Sequence, residues 1–141
     1  MSEASGFRVD VVSPERVLFS GDATQVITRT LGGGEIAFLP GHASFLGAVT
    51  ENHTRVYLPG GEVLDVAVHG GFVEVSNNTV TLLSDGAELG SEIDIERARR
   101  ARDRAEEQMR SEHDAEVEAA LRRAHARLAA AGGLSTSASA H

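Results

Sequence analysis

Phe7-Arg8-Val9-Asp10-Val11-Val12 alternates apolar and polar side chains, the period of a strand with one buried face. Ser13-Pro14-Glu15 breaks it as a turn, and Val17-Leu18-Phe19 follows before the break at Gly21-Asp22. Gln25–Thr30 forms a further β-rich run, ended by Gly32-Gly33-Gly34. Glu35–Leu39 stops at Pro40-Gly41. Short runs recur at Leu46–Thr50, Thr54–Leu58, Val63–Val68, Phe72–Val75 and Val80–Leu83. Pro59-Gly60-Gly61 and Asn77-Asn78 have the composition of hairpin turns. About nine short strands, with no helical run between them, predict an antiparallel sandwich or barrel over residues 1–90.

The period changes near residue 90. From there no Pro occurs, and Gly returns only at 132. Ile93-Asp94-Ile95-Glu96 predicts a helix start, with Ser91 or Asp94 as cap. Ala98, Ala101, Ala105 and Met109 fall on one helical stripe. The pattern weakens at Ser111-Glu112-His113-Asp114. A second stripe follows, Val117, Leu121, Ala124 and Leu128. Residues 91–131 therefore predict an αα-hairpin of two helices of some 17 residues. Its seam is mostly Ala, and methyl burial contributes little at ~25 cal/mol per Å². Such a hairpin needs a surface to lie on, or it opens. Residues 132–141, rich in Ser and Ala, are expected to be a disordered tail.

Composition narrows the function. The chain has 141 residues and no Cys, which excludes disulfides, thiol catalysis and Cys-ligated zinc. No apolar run approaches the ~20 residues of a membrane span. The polar start, Met1 to Phe7, does not read as a secretory signal, so a soluble, cytoplasmic chain is expected. The formal net charge of −8 argues against nucleic-acid binding. Residues 1–90 carry eleven acids against four Arg, and residues 91–131 carry ten against nine. The hairpin is thus densely charged yet nearly neutral. All thirteen basic residues are Arg, the cation suited to bidentate contact with carboxylates and phosphates.

No catalytic constellation stands out. Gly32-Gly33-Gly34 lacks the Lys and following helix of a phosphate loop. No two of the six His share a metal-binding spacing on one helix, and no G-x-S-x-G elbow occurs. These patterns point to a binding or regulatory module. Arg97 and Arg104 lie two helical turns apart, and Arg123 and Arg127 one turn apart. If the helices fold back, all four converge near the hairpin base, beside Glu88, Ile93 and Asp94. Four guanidinium groups over an apolar floor suit a nucleotide, with a carboxylate or backbone group for the adenine amino group. A solvated, salt-bridged surface fits the same pattern, as Glu92, Glu96 and Arg100 show.

Several stretches, in order, resemble one family. Gly34-Glu35-Ile36-Ala37-Phe38-Leu39-Pro40-Gly41-His42-Ala43 resembles the G-E…P-G-H-A stretch of F-type ATP synthase epsilon subunits, with Ala37 where many members have Gly. Phe19-Ser20-Gly21 matches the family's F-x-G. His69-Gly70-Gly71-Phe72-Val73-Glu74-Val75 and Val80-Thr81-Leu82-Leu83-Ser84-Asp85 resemble its G-G-x-x-E-V and V-T-V-L-A-D. The resemblance implies a ten-stranded β-sandwich that binds the gamma subunit and the ring of c subunits and helps couple proton flow to ATP synthesis. It implies a hairpin that folds on the sandwich or extends into the alpha/beta catalytic head and restrains hydrolysis. It implies no catalysis by the chain itself and no required cofactor. The location implied is peripheral, on the cytoplasmic face of the cell membrane. Some members bind ATP through an I/L-D-x-x-R-A motif, which Ile93-Asp94-Ile95-Glu96-Arg97-Ala98 satisfies. Glu88 and Arg104 match further positions of that site, and Arg123-Ala124-His125-Ala126-Arg127-Leu128 resembles its R-A-x-x-R-L segment. ATP is then a regulatory ligand. The competing reading is a stand-alone β-sandwich interaction module unrelated to ATP synthase.

Overall fold

Alternating burial along the short runs builds the sheet. The structure, a computed structural model, describes residues 6–132. Eight strands come first: β1 (Phe7–Val12), β2 (Val17–Ala23), β3 (Gln25–Thr30), β4 (Gly34–Phe38), β5 (Phe45–Tyr57), β6 (Val63–Ser76), β7 (Thr79–Ser84) and β8 (Ala87–Leu89). A 3-10 turn at Gly90–Glu92 leads to α1 (Ile95–Ser111) and α2 (Ala115–Ala130). Apart from Gly132, the expected tail lies outside the described residues.

The strands hydrogen-bond in the order β2-β1-β7-β6-β5-β3-β4, with β8 also on β6. β1 and β4 stand far apart in that order. Yet Val9, Val11, Val26, Phe38, Val56, Val68 and Leu82 share one buried core. The sheet must therefore fold over on itself as a sandwich. The β5–β6 arm makes that fold. Val49 faces the core near its start, then Thr54 and Val56 do, so the inward parity switches between them. β6 switches likewise, from Val66 and Val68 to Val73 and Val75. The switch falls at Gly70 and Gly71, whose φ of 89° and 133° only Gly adopts freely. A Cβ on Gly71 would also lie 2.2 Å from the Leu83 carbonyl oxygen.

This arm corrects the reading of nine runs. Four of them merge pairwise into β5 and β6, and β8 is added. Divided at their bends, β5 and β6 bring the eight strands to ten segments. The pairing is antiparallel except between β1 and β7, which run parallel with Val9 opposite Val80. Asn77 and Asn78, with φ of 53° and 58°, form the tight turn between β6 and β7.

Asp94 caps α1 by accepting from the Arg97 amide at 3.1 Å. Asp114 caps α2 by accepting from the Val117 amide at 2.9 Å. The helices pack against each other, and α2 lies on β5 and β6 while α1 rests chiefly on α2. Ala126 and Ala130 of α2 close over Ala67 of β6, with Ile93 packed beside them. The seam holding the hairpin down is thus built largely of methyl groups. Gly90 admits the end of α2, since a Cβ there would sit 2.0 Å from the Ala130 carbonyl oxygen.

Candidate functional site

The junction between sandwich and hairpin gathers most of the singled-out residues. Pairing of β8 with β6 sets Glu88 opposite Ala67. The Asp94 cap starts α1 so that Arg97 and Arg104 follow on one face. The last turns of α2 bring in Arg127. Glu88, Glu92, Ile93, Asp94, Arg97, Ala98, Ala101, Arg104 and Arg127 line one cleft of about 420 Å³. That volume lies within the roughly 300–1,000 Å³ of small-molecule sites.

Seven of the eight expected residues meet there. The eighth, Arg123, does not line the cleft and instead pairs with Glu116 at 3.0 Å. It lies one turn farther from the junction than Arg127, so the four Arg do not converge. Glu92 and Ala101 join the lining, and Glu92 also binds Arg16 at 2.5 Å. Arg97 and Arg104 are exposed and have no ion-pair partner among the described residues. On the outer face, Arg99–Glu96 and Arg110–Glu107 show that the salt-bridged surface exists too, beside the cleft rather than in place of it.

Glu88 is the electrostatic centre. Its Oε2 accepts from Arg127 Nε at 2.7 Å and from His69 Nε2 at 2.9 Å. Burial raises its pKa, but the hydrogen bonds from Arg127 and His69 outweigh that, and the carboxyl sits below its ordinary range. Burial lowers the pKa of His69 and prevails over the bond to Glu88, with Arg127 and Arg123 adding to the lowering. Sequence reasoning missed His69 in this role. It stood in the middle of a strand arm read as two pieces.

A wider groove of about 890 Å³ runs between α2 and the outer face of β3–β6. Most of its polar groups already satisfy one another: Arg55 pairs with Glu35 at 2.6 Å, Arg122 with Glu51 at 2.8 Å, and His53 Nε2 hydrogen-bonds Asp65 at 2.6 Å. Among the described residues, no group of three His, Cys, Asp or Glu could hold a metal ion.

Comparison with known proteins divides the chain at the same junction. Residues 6–90 match the family model "ATP synthase, Delta/Epsilon chain, beta-sandwich domain". Residues 91–132 match "ATP synthase, Delta/Epsilon chain, long alpha-helix domain". The ATP synthase epsilon chain of Streptomyces coelicolor is 39% identical over 130 residues, covering 92% of this chain and 98% of that one. The ATP synthase epsilon chain of Brevibacillus brevis is 43% identical over 105 residues, covering 74% and 79%. Among solved structures, a chain of the Euglena gracilis mitochondrial ATP synthase (OSCP/F1/c-ring) superposes with a TM-score of 0.70 at 21% identity. It covers 97% of this chain and 82% of its own length, a likeness of fold. These matches span both the sheet and the hairpin, which sets aside an unrelated interaction module. The chain belongs to the ATP synthase delta/epsilon chain family.

Proposed function

We propose that the chain is a rotor subunit whose sandwich couples proton-driven rotation to ATP synthesis and whose hairpin restrains ATP hydrolysis, with ATP in the junction cleft holding the hairpin folded. Family membership makes it a non-catalytic subunit of the ATP synthase central stalk. The finer reading rests on this chain's residues. Leu31, Leu46, Phe72 and Leu83 stand 69%, 72%, 56% and 51% exposed. Phe72 pairs across strands with Leu83 on one side and Ala48 on the other. This apolar face of the sandwich is offered to gamma and the ring of c subunits. Among the described residues no helix is long and apolar enough to cross a membrane. Peripheral attachment through the complex, at the cytoplasmic face, fits that.

The junction cleft is the observation that carries the regulatory part. Arg97 and Arg104 on α1 supply charge for phosphates, and Ile93, Ala98 and Ala101 an apolar floor. Both bonds to Glu88 fall on Oε2, leaving Oε1 to accept from the adenine amino group. A nucleotide here would touch α1, α2 and β8 together. It binds the folded state alone and shifts the population toward it. In the extended state the helices' Arg turn to the alpha/beta head. Arg99, Arg102, Arg122 and Arg123 must then exchange their partners Glu96, Asp103, Glu51 and Glu116. Arg100 is also available to that contact.

Two measurements test the reading. Deleting residues 92–141 leaves the complex assembled and raises ATP hydrolysis, and unchanged ATPase activity refutes the brake. Calorimetric titration of the intact protein with ATP gives heat that weakens with Arg127→Ala. Absence of heat at millimolar ATP removes the nucleotide site.

A further inference from the structure

One buried group remains unexplained by a nucleotide cleft. Nδ1 of His69 is buried and has no hydrogen-bond partner. The side chain is 10% exposed. His69 lies on β6 directly opposite Glu51 of β5, and its Nε2 faces Glu88 of β8. Among the described residues, these two carboxylates make the ion pairs that tie α2 to the sheet, Glu51 with Arg122 at 2.8 Å and Glu88 with Arg127 at 2.7 Å. The imidazole therefore stands between the two charged anchors of the hairpin.

We propose that His69 is a proton sensor for hairpin docking, an imidazole wedged between the two anchoring carboxylates whose protonation loosens α2 from the sheet. This builds on the mobile hairpin of the proposed function and adds its regulation by pH. The neutral ring suits the docked state. Nε2 carries the hydrogen and donates to Glu88, and bare Nδ1 needs no acceptor. Protonation puts an N–H on Nδ1, where no acceptor waits, and an unsatisfied buried charged donor is costly. The new charge also bonds a Glu88 oxygen already taken by Arg127 and faces Arg127 and Arg123 across the seam. Glu51 and its partner Arg122 face it from β5 and α2, and Asp85 lines the same small surface cleft. That cleft, about 330 Å³, gives water-borne protons a path to the ring. When α2 lifts away, the ring meets water and the penalty disappears.

The sign follows from linkage. With the hairpin docked, burial holds the pKa of His69 below its ordinary value and Arg127 and Arg123 of α2 add to the lowering, so a hairpin that lifts away leaves a ring that binds the extra proton more readily. Docking is strongest above the ordinary imidazole pKa of about 6.5 and weakens as pH falls below it. The loss reaches at most about tenfold per pH unit within the window between the two pKa values. Glu88 and Glu51 both lie below their ordinary range and stay ionised there.

The chain has no Cys, so dyes can be placed at Glu62→Cys and Glu112→Cys alone, both exposed, one on the β5–β6 turn and one at the hairpin tip. Energy transfer then reports docking in the full chain. The docked fraction falls from pH 7.5 to pH 5.5, and His69→Gln, which keeps a donor to Glu88 but cannot charge, removes the fall. Proton NMR of the intact protein places the His69 titration below that of an exposed imidazole. A pH-independent transfer signal, an equal fall in His69→Gln, or a normal or raised His69 titration overturns the proposal. A deletion of residues 92–141 that raises hydrolysis beside a pH-independent signal would discard the sensor and leave the brake standing.

Discussion

Gly90→Ala should release the hairpin while sparing the sandwich. The added Cβ would lie 2.0 Å from the carbonyl oxygen of Ala130 and 2.8 Å from its carbon. An ordinary carbon–oxygen contact is about 3.3 Å, so the end of α2 must rise by roughly 1.3 Å. Forcing such an overlap into packed structure costs about 1–3 kcal/mol. The opposing side is small. Ala67, Ala126 and Ala130 form the buried seam, and each methyl is worth about 0.8 kcal/mol. The seam's ~2–3 kcal/mol is of the same size as the clash. The partly exposed Arg122–Glu51 and Arg127–Glu88 pairs that also tie α2 to the sheet add at most about 1 kcal/mol each. The docked population should drop by roughly 5- to 150-fold. Amide hydrogen exchange reads this directly. Amides from Ala124 to Ala130 should exchange faster, while those of Val66, Val68 and Val73 in the core keep their protection. Unchanged exchange in α2 would show that the seam tolerates the methyl. Equal acceleration in the core would show that the sheet yields instead of the helix, and either result refutes the reasoning.

Arg127→Ala leaves half-buried Glu88 without its cation and should weaken ATP binding about tenfold in calorimetry, whereas Arg123→Ala, outside the cleft, should leave the affinity within about twofold. Asp114→Ala removes the α2 cap and should cost about 1 kcal/mol of helix stability, seen as an earlier loss of the 222 nm circular-dichroism signal on heating. Glu88 and Glu51 have lowered pKa values in the docked state, so their contribution is full above the ordinary glutamate value of 4.5 and is lost as pH falls through the lowered values. In a His69→Gln background, docking should therefore stay level from pH 7.5 to about 5 and weaken only in stronger acid, as followed by energy transfer.

Strand existence and the change of period near residue 90 were legible because burial follows alternation in β1 and helical spacing after Asp94. The long arms were not. Glu51-Asn52-His53 and His69-Gly70-Gly71 read as breaks, yet they sit where the sheet folds over, and pairing skips only Thr50 and Gly70 before resuming in the same register at Glu51 and His69. The parallel β1–β7 pair joins residues about seventy apart and leaves no local mark. In the hairpin, Ala124 fitted the expected stripe, but Ala126, Ala129 and Ala130 are also buried, because Ala is small enough for two faces of one helix to pack. Arg123 and Arg127 do share a side of α2. Only the distance of each from the junction, set by the short Glu112–Asp114 turn, decides which one reaches Glu88.

The seating of α1 on α2 rather than on the sheet makes the hairpin leave as one piece. α1 is a passenger and α2 the foundation. α1 is tied to the sandwich through Gly90–Glu92 and to α2 by a three-residue turn, so α2 cannot leave without carrying α1. The two storeys thus lift together, and a different chemistry watches each. A nucleotide gripping Arg97 and Arg104 from below would staple the upper storey. The imidazole of His69 guards the lower one. Loss of either hold then loosens both storeys, so falling ATP and falling pH act as two bolts on one door.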